Sequence, residues 1–181
     1  MATERRTGSR RRSAGLSLIE VLVSMVISAI GLMGLIGLQV GSMRSAKSAH
    51  LLSAANLLVG DMADRMRANA GGHRAPLTYA QAGTWSSVAG DVPAETACAD
   101  EPRCTAAERI REDLAAWQRA IAAALPEGGG VVLGAPDVGY QVVIGWRERS
   151  ATVEAQAANG GCPAAFAAPT NVRCLVVSVR P

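Results

Sequence analysis

The sequence predicts an α+β fold in which one long N-terminal helix packs on a small antiparallel β-sheet. Three observations support this prediction. An uncharged apolar run of 20 residues, Val21 to Val40, lies near the N-terminus. An amphipathic helical pattern follows it, and segments rich in β-branched residues lie toward the C-terminus. The apolar run is long enough to cross a hydrocarbon core about 30 Å thick as a helix.

The long helix is predicted to continue beyond the apolar run. Apolar residues recur there at steps of three and four, with charged residues between them. They are Leu51, Leu52, Ala55, Leu58, Val59, Met62 and Met66. An Asn-Ala-Gly-Gly stretch at 69–72 is a typical helix end, so we expect one helix from about Ser17 to Asn69. The alternative is a membrane anchor followed by an independent helix, with a hinge at Gly41 and Ser42.

A second helix and three strands are predicted in the C-terminal half. Thr105 and Glu108 have the spacing of a capping box, and the helix that they open is expected to end at Pro126. Its apolar stripe consists of Ile110, Leu114, Trp117, Ile121 and Leu125.

The strands are expected at 131–133, 140–147 and 172–180. The first two form a hairpin across 134–139, and the third pairs antiparallel with it. In the middle strand one face carries Tyr140, Val142, Ile144 and Trp146. The segment from His73 to Ala97 has no clear period and is interpreted as a surface loop.

Charge is concentrated at the N-terminus. Residues 1–15 contain five arginines and one glutamate, a local charge of +4, and the rest of the chain has 13 basic and 14 acidic residues, or −1. A basic tail before an apolar span is typical of the cytoplasmic flank of a membrane protein. We expect no nucleic-acid partner, because no other part of the chain is basic and aromatic together.

One carboxylate, that of Glu20, lies at the head of the apolar run, five residues after Gly15. A carboxylate in such a segment is costly unless it has a partner or stays near the interface, and it usually marks a functional contact. A cleaved secretory signal has a shorter apolar region and a cleavage site after it, whereas the small residue here precedes the run.

The stretch GLSLIEVLVSMVISAIGL, Gly15 to Leu32, resembles the N-terminal signature of type IV prepilins and the related pseudopilins. The resemblance implies cleavage between Gly15 and Leu16 by a prepilin peptidase, and N-methylation of Leu16. It also implies that Glu20 of one subunit meets the Leu16 ammonium of a neighbour during assembly. This sequence has Leu16 where the family more often has Phe, and Gly37 about where many major pilins have a helix-kinking proline.

The head adds a more diffuse resemblance. The segment from Cys104 to Gly130, followed by a Tyr-to-Trp strand and a late cysteine pair, is similar to the type IV pilus modification family of minor pilins, PilV. This resemblance implies a minor pilin that contributes to pilus assembly, adhesion and twitching motility. The implied partners are other minor pilins, the major pilin and a tip adhesin. The alternatives are a minor pseudopilin of a type II secretion system and a signal-anchored periplasmic binding protein.

The implied organisation has four segments. Residues 1–15 form a basic leader, 16–40 a transmembrane and assembly helix, 41–70 its amphipathic continuation and 71–181 a periplasmic α+β head. The chain is expected to cross the inner membrane once with its N-terminus in the cytoplasm, and later to enter a pilus at the cell surface.

Four cysteines, all beyond the apolar run, are expected to form disulfides, since a periplasmic head is in an oxidising compartment. Proximity favours Cys98–Cys104 and Cys162–Cys174. We expect no metal site, because no Cys-x-x-Cys occurs and the two histidines, His50 and His73, are not near a cysteine in sequence.

No enzyme or cofactor site is expected, since no nucleophile motif or metal spacing is present. Two charged pairs, Glu112 with Asp113 and Arg147 with Glu148, are interpreted as solvated residues on a helix and at a strand end rather than as acid/base pairs. With only six aromatic residues in 181, a deep aromatic pocket is also not expected.

Overall fold

The computed structural model describes residues 17–69, 71, 77–95, 98, 104–148 and 161–180. The chain divides into two compact units at the boundary between Met43 and Arg44. We call the described residues 17–43 the span and the described residues from 44 onward the head, and we treat them separately.

The first helix, α1, comprises Leu18–Ala68, which agrees with the predicted helix to within one residue at each end. Gly41 and Ser42 are helical, although the alternative prediction of an anchor and an independent helix placed a hinge there. In the span every residue is exposed. In the head one face of α1 is buried, and its buried residues are Leu51, Ala55, Val59, Met62, Ala63 and Met66. Most of the predicted stripe is thus confirmed, but Leu52 is exposed and Leu58 is only partly buried.

Two further α-helices lie in the head. A single turn, α2, comprises Trp85–Val88, and α3 comprises Ala106–Ala124. The predicted capping box opens α3: the Glu108 backbone N–H donates to Thr105 Oγ1 at 3.3 Å, and the Thr105 backbone N–H donates to Glu108 Oε2 at 2.9 Å. These bonds satisfy two backbone groups that the first turn of a helix leaves open. A short 3₁₀ turn comprises Ala164–Phe166.

The sheet has three antiparallel strands in the order β1-β2-β3. β1 comprises Gly129–Ala135, β2 Gly139–Arg147 and β3 Val172–Val179. The predicted hairpin and the predicted pairing of the third strand are confirmed, with Val132 opposite Val142 and Val143 opposite Val176. The predicted fold class, a long N-terminal helix and a small antiparallel sheet, is therefore confirmed.

Both faces of the sheet are covered. On one face, four side chains of β2 pack with the buried residues of α1 and with Trp117 of α3. They are those predicted to share a face: Tyr140, Val142, Ile144 and Trp146. On the other face, Val131 and Val143 pack with Trp85 and Phe166, whose rings meet edge to face at 5.9 Å between centroids. All six aromatic residues of the chain are buried in these two clusters.

The prediction of a surface loop from His73 to Ala97 holds for most of its described part, residues 77–95, but is wrong at three buried positions. Tyr79, Trp85 and Val88 are buried, and the Gln81 backbone N–H donates to the Val132 carbonyl at 2.7 Å. The segment therefore pairs with the outer edge of β1 and covers it, which protects an edge strand from other pairing. Residues 73–76 and 96–97 lie outside the described residues.

Candidate functional site

The first turn of α1 carries Glu20. Its backbone N–H donates to Ser17 Oγ at 3.3 Å and to the Ser17 carbonyl at 3.1 Å. Ser17 is thus the N-cap residue and Glu20 the third helical residue, a position where the helix dipole favours a carboxylate. Gly15 and Leu16, the predicted processing residues, lie outside the described residues.

Two serines extend the face of α1 on which Glu20 lies. Ser24 and Ser28 follow Glu20 at steps of four, and all three line one shallow groove. Ser24 Oγ donates to the Glu20 carbonyl at 2.7 Å, so this hydroxyl is satisfied within its own helix. Small side chains of this kind permit the close approach of another helix. The sequence-based site did not include them, although their spacing from Glu20 is a signal that a helical projection would have found.

The span has no core of its own. Its most apolar window has a mean hydropathy of 2.5 and none of that window is buried. In the described part of the chain one helix, α1, is long and apolar enough to cross a membrane. An apolar surface of this size requires lipid or neighbouring helices as its solvent. Among the described residues Glu20 has no ion-pair partner.

The head contains a buried carboxylate at Asp113. The Tyr79 hydroxyl donates to Asp113 Oδ2 at 2.6 Å, and Arg65 Nη1 lies 3.6 Å from Asp113 Oδ1. Burial raises the pKa of Asp113, against the opposing effects of the Tyr79 hydrogen bond and the Arg65 charge. Burial and the Asp113 carboxylate also raise the pKa of Tyr79, so this hydroxyl keeps its proton and acts as a donor.

The two charged pairs that the sequence analysis placed in solvent are mostly buried, so that interpretation is wrong. Glu112, Asp113 and Glu148 are all buried. Arg119 Nη2 pairs with Glu112 Oε1 at 2.9 Å, and Arg173 Nη1 pairs with Glu148 Oε2 at 3.0 Å. Each carboxylate is thus compensated by an arginine, as burial demands. The Arg173–Glu148 pair joins β3 to the end of β2, and the Arg65–Asp113 pair joins α1 to α3, whereas Glu112 and Arg119 both lie on α3.

The four cysteines form two disulfides, Cys98–Cys104 and Cys162–Cys174. These are the pairs that proximity in the sequence favours. The second links the segment around the 3₁₀ turn to β3. Within the described ranges no group of three His, Cys, Asp or Glu side chains is placed to hold a metal ion.

Comparison with known proteins bears on the span rather than on the head. Residues 10–36 match the family model described as the prokaryotic N-terminal methylation motif. The matched range includes Gly15, Leu16 and Glu20, and it supports a type IV pilin-like protein that is a substrate of prepilin peptidase. No curated protein and no solved structure matches the chain.

Proposed function

We propose that this chain is a minor pilin, a membrane-anchored subunit that joins the assembly or tip-priming complex of a type IV pilus. The observation that carries the proposal is the methylation motif at residues 10–36, because it overlaps the span, the apolar part of α1 whose described residues are all exposed. Such a helix suits a subunit that is first held by lipid and then packed among other helices.

The proposal assigns a role to each segment. Residues 1–15 are the leader, 16–40 the membrane and assembly helix, 41–70 its amphipathic continuation and 71–181 the periplasmic head. Prepilin peptidase cleaves after Gly15, whose missing side chain lets the backbone approach the enzyme closely, and Leu16 is then methylated. The chain waits in the inner membrane with its N-terminus in the cytoplasm until it enters the pilus.

Glu20 has the assembly role in this proposal. In the membrane it lies near the cytoplasmic edge, where it stays hydrated at little cost. In a packed bundle an unpaired carboxylate is strongly penalised, and the Leu16 ammonium of a neighbouring subunit compensates for it. A subunit one step out of position would bury Glu20 alone, so the carboxylate sets the register of docking.

The finer assignment to the PilV family rests on the Cys104 to Gly130 segment and the strand that follows it. The expected partners are the major pilin, other minor pilins and a tip adhesin. The same N-terminal motif also serves pseudopilins of type II secretion systems. Recovery of the chain from sheared pilus filaments favours the pilus, whereas its absence there and presence in a secretion pseudopilus favours the alternative.

Processing is tested by intact-mass analysis of the membrane protein. We expect a mature chain that begins at Leu16 and carries one additional methyl group, and we expect Gly15→Leu to remain unprocessed. A wild-type chain that retains residues 1–15 in cells with active peptidase would refute this step. That result would favour a signal-anchored periplasmic protein.

Assembly is tested by Glu20→Ala and Glu20→Gln, with Ser24→Ala as a matched variant on the same helix face. Immunoblots compare total membrane with sheared filaments from one strain. Both Glu20 variants should be cleaved normally and should lose most of their incorporation, at least fivefold, whereas Ser24→Ala should retain it. Normal incorporation of Glu20→Gln would show that the charge does not set the register.

A further inference from the structure

A groove lies in the head where the first residues of its part of α1 face the ends of α3 and β2. Its volume is about 290 Å³. One wall is a single helix face that carries Arg44, Lys47 and Ser48, and the other wall carries Glu127, Arg147 and Glu148. Neither the pilin resemblance nor the assembly role of Glu20 uses this groove.

Both carboxylates of the groove are neutralised by arginines. Arg147 Nε lies 2.7 Å from Glu127 Oε2, and Arg173 Nη1 lies 3.0 Å from Glu148 Oε2. Arg173 Nη1 also donates to Ser48 Oγ at 3.1 Å, which ties the two walls together. The wall opposite α1 therefore offers no free negative charge to the lysine and arginine on α1.

Arg44 and Lys47 are the uncompensated charges. Neither forms an ion pair or a side-chain hydrogen bond with any residue of the described ranges, and both side chains are exposed at the groove. The sequence has no acidic residue between Glu20 and Asp61, so neither has an acidic residue within ten positions along the chain. Arg44 and Lys47 thus line a concave surface whose two carboxylates are already paired with arginines. Such a surface fits an anionic ligand.

The groove also holds a backbone conformation that is unusual for its residue. Glu127 has φ of 49°, in the left-handed region, in a turn closed by the Gly128 N–H donating to the Leu125 carbonyl at 3.0 Å. Glycine is the usual residue at such a position. The chain instead places a glutamate there, whose side chain fixes Arg147. Strained residues of this kind tend to lie at functional sites.

The distance to the apolar run decides which anion is near. Arg44 follows Val40 by four residues of α1, a rise of about 6 Å along a helix. Phospholipid headgroups occupy a layer of roughly 5 to 7 Å on each side of the hydrocarbon core. Lys and Arg are disfavoured close to a span on its translocated side, so a basic pair there calls for a partner.

We propose that this groove binds the phosphate of a membrane phospholipid through Arg44 and Lys47. The Arg44 guanidinium matches two phosphate oxygens with its forked N–H groups, and the Lys47 ammonium supplies a second, mobile donor. The proposal rests on the membrane span of the proposed function. It adds that the head itself is held at the membrane surface before the subunit is extracted into a filament.

Native mass spectrometry of the full mature chain in mild detergent tests the proposal. The probes are phosphatidylglycerol, a diacylglycerol with the same acyl chains, and inorganic phosphate. The variants are Arg44→Ala/Lys47→Ala, the charge-preserving Arg44→Lys/Lys47→Arg, and a matched control, Arg67→Ala/Arg180→Ala, which removes two exposed cations outside the groove.

We expect the wild-type chain, the charge-preserving variant and the matched control to retain one phosphatidylglycerol. We expect the groove variant to retain at least fivefold less, and diacylglycerol not to be retained. Equal retention by the groove variant would overturn the proposal. Displacement of the lipid by an equal concentration of inorganic phosphate would assign the site to free phosphate.

A protein carboxylate is the competing anion. Capture of another pilus subunit in phospholipid-free detergent, dependent on Arg44 and Lys47, would replace the lipid by a protein partner. Carbonate washing of membranes and the mass of the mature chain report the span and its processing separately. A chain lost from washed membranes contradicts the proposed function, whereas an inserted, processed groove variant with unchanged lipid retention contradicts the groove alone.

Discussion

The span and the head differ in what surrounds their apolar side chains. In the span every residue is exposed, including Leu18 at 79% and Met33 at 74%. In the head all six aromatic residues and one face of α1 are buried. The head is therefore stabilised by its own core, whereas the apolar side chains of the span call for lipid or other helices around them.

The same contrast applies to two carboxylates. Asp113 in the head is met by Tyr79 and Arg65 of its own chain. Glu20 in the span has no ion-pair partner among the described residues. A charge that is compensated within one chain serves the fold, whereas the role proposed for Glu20 is in assembly. This difference separates residues that should affect the stability of the isolated chain from residues that should affect incorporation.

The largest effect is expected from a matched pair of methionines on α1. Met62 is fully buried in the head and Met33 is 74% exposed in the span. Met62→Ala should lower the free energy of unfolding of the head by about 2 to 5 kcal/mol, through lost burial and a new cavity. Met33→Ala should leave it unchanged within about 0.5 kcal/mol.

Tryptophan fluorescence during urea unfolding in detergent measures this difference. Trp85, Trp117 and Trp146 all belong to the head, so their emission reports the head alone. Equal destabilisation by the two methionine variants would mean that the head depends on side chains of the span, and the contrast between the two regions would fail.

Glycines give a second matched pair. A Cβ at Gly130 would lie 2.5 Å from Trp117 Cη2, whereas a Cβ at Gly34 would have no atom within 4 Å. Gly130→Ala should overpack the core and destabilise the head by about 1 to 3 kcal/mol. Gly34→Ala should leave the unfolding of the head unchanged and increase the helix propensity of the span, by up to about 1 kcal/mol.

Thermal unfolding of both glycine variants, followed by tryptophan emission, measures the first effect, and far-ultraviolet circular dichroism in detergent measures the second. An unchanged melting temperature for Gly130→Ala would show that Trp117 can move aside, and the core at β1 would then be less tightly packed than its contacts indicate.

Local patterns in the sequence predicted the elements of the fold. The stripe of α1, the capping box at Thr105 and the alternation of β2 all depend on residues a few positions apart. Signals of this range survive in any tertiary context, so the helix ends and strands were predicted to within a few residues. The methylation motif, a short local pattern, led to the processing and assembly hypothesis in the same way.

Long-range contacts could not be predicted in this way. The burial of Glu148 depends on Arg173, 25 residues away, and that of Asp113 on Arg65, 48 residues away. The segment around Tyr79 has no periodic pattern of its own in the sequence. Its position is fixed by pairing with β1 and by the hydrogen bond from Tyr79 to Asp113 of α3. The groove at Arg44 likewise combines α1, the turn after α3 and the end of β2, so no single stretch of sequence predicts it.

The smallest expected effect is the pH dependence that Asp113 contributes, and it extends the comparison of the two carboxylates. Because burial raises the pKa of Asp113 in the folded head, the folded state holds this proton more tightly than the unfolded chain does. The contribution of Asp113 to stability is therefore fully present below the unfolded pKa of about 3.9, and it is lost as pH rises through the folded pKa. Tyr79, Arg65 and Arg109 are the groups that act on this carboxyl, and all three oppose the rise by favouring its charged form.

Asp113→Asn removes this ionisation but keeps an oxygen that can accept from the Tyr79 hydroxyl. Urea unfolding from pH 4 to pH 7 should show wild-type stability falling relative to that of Asp113→Asn as pH rises, with a slope that cannot exceed about 1.4 kcal/mol per pH unit for one group. Parallel curves for Asp113→Asn would mean that the Arg65 charge and the Tyr79 hydrogen bond cancel the effect of burial. A positive result would show that burial within one chain outweighs the charge of Arg65 and the hydrogen bond of Tyr79 at Asp113, because it would be measured on isolated subunits, where the proposed partner of Glu20 is missing.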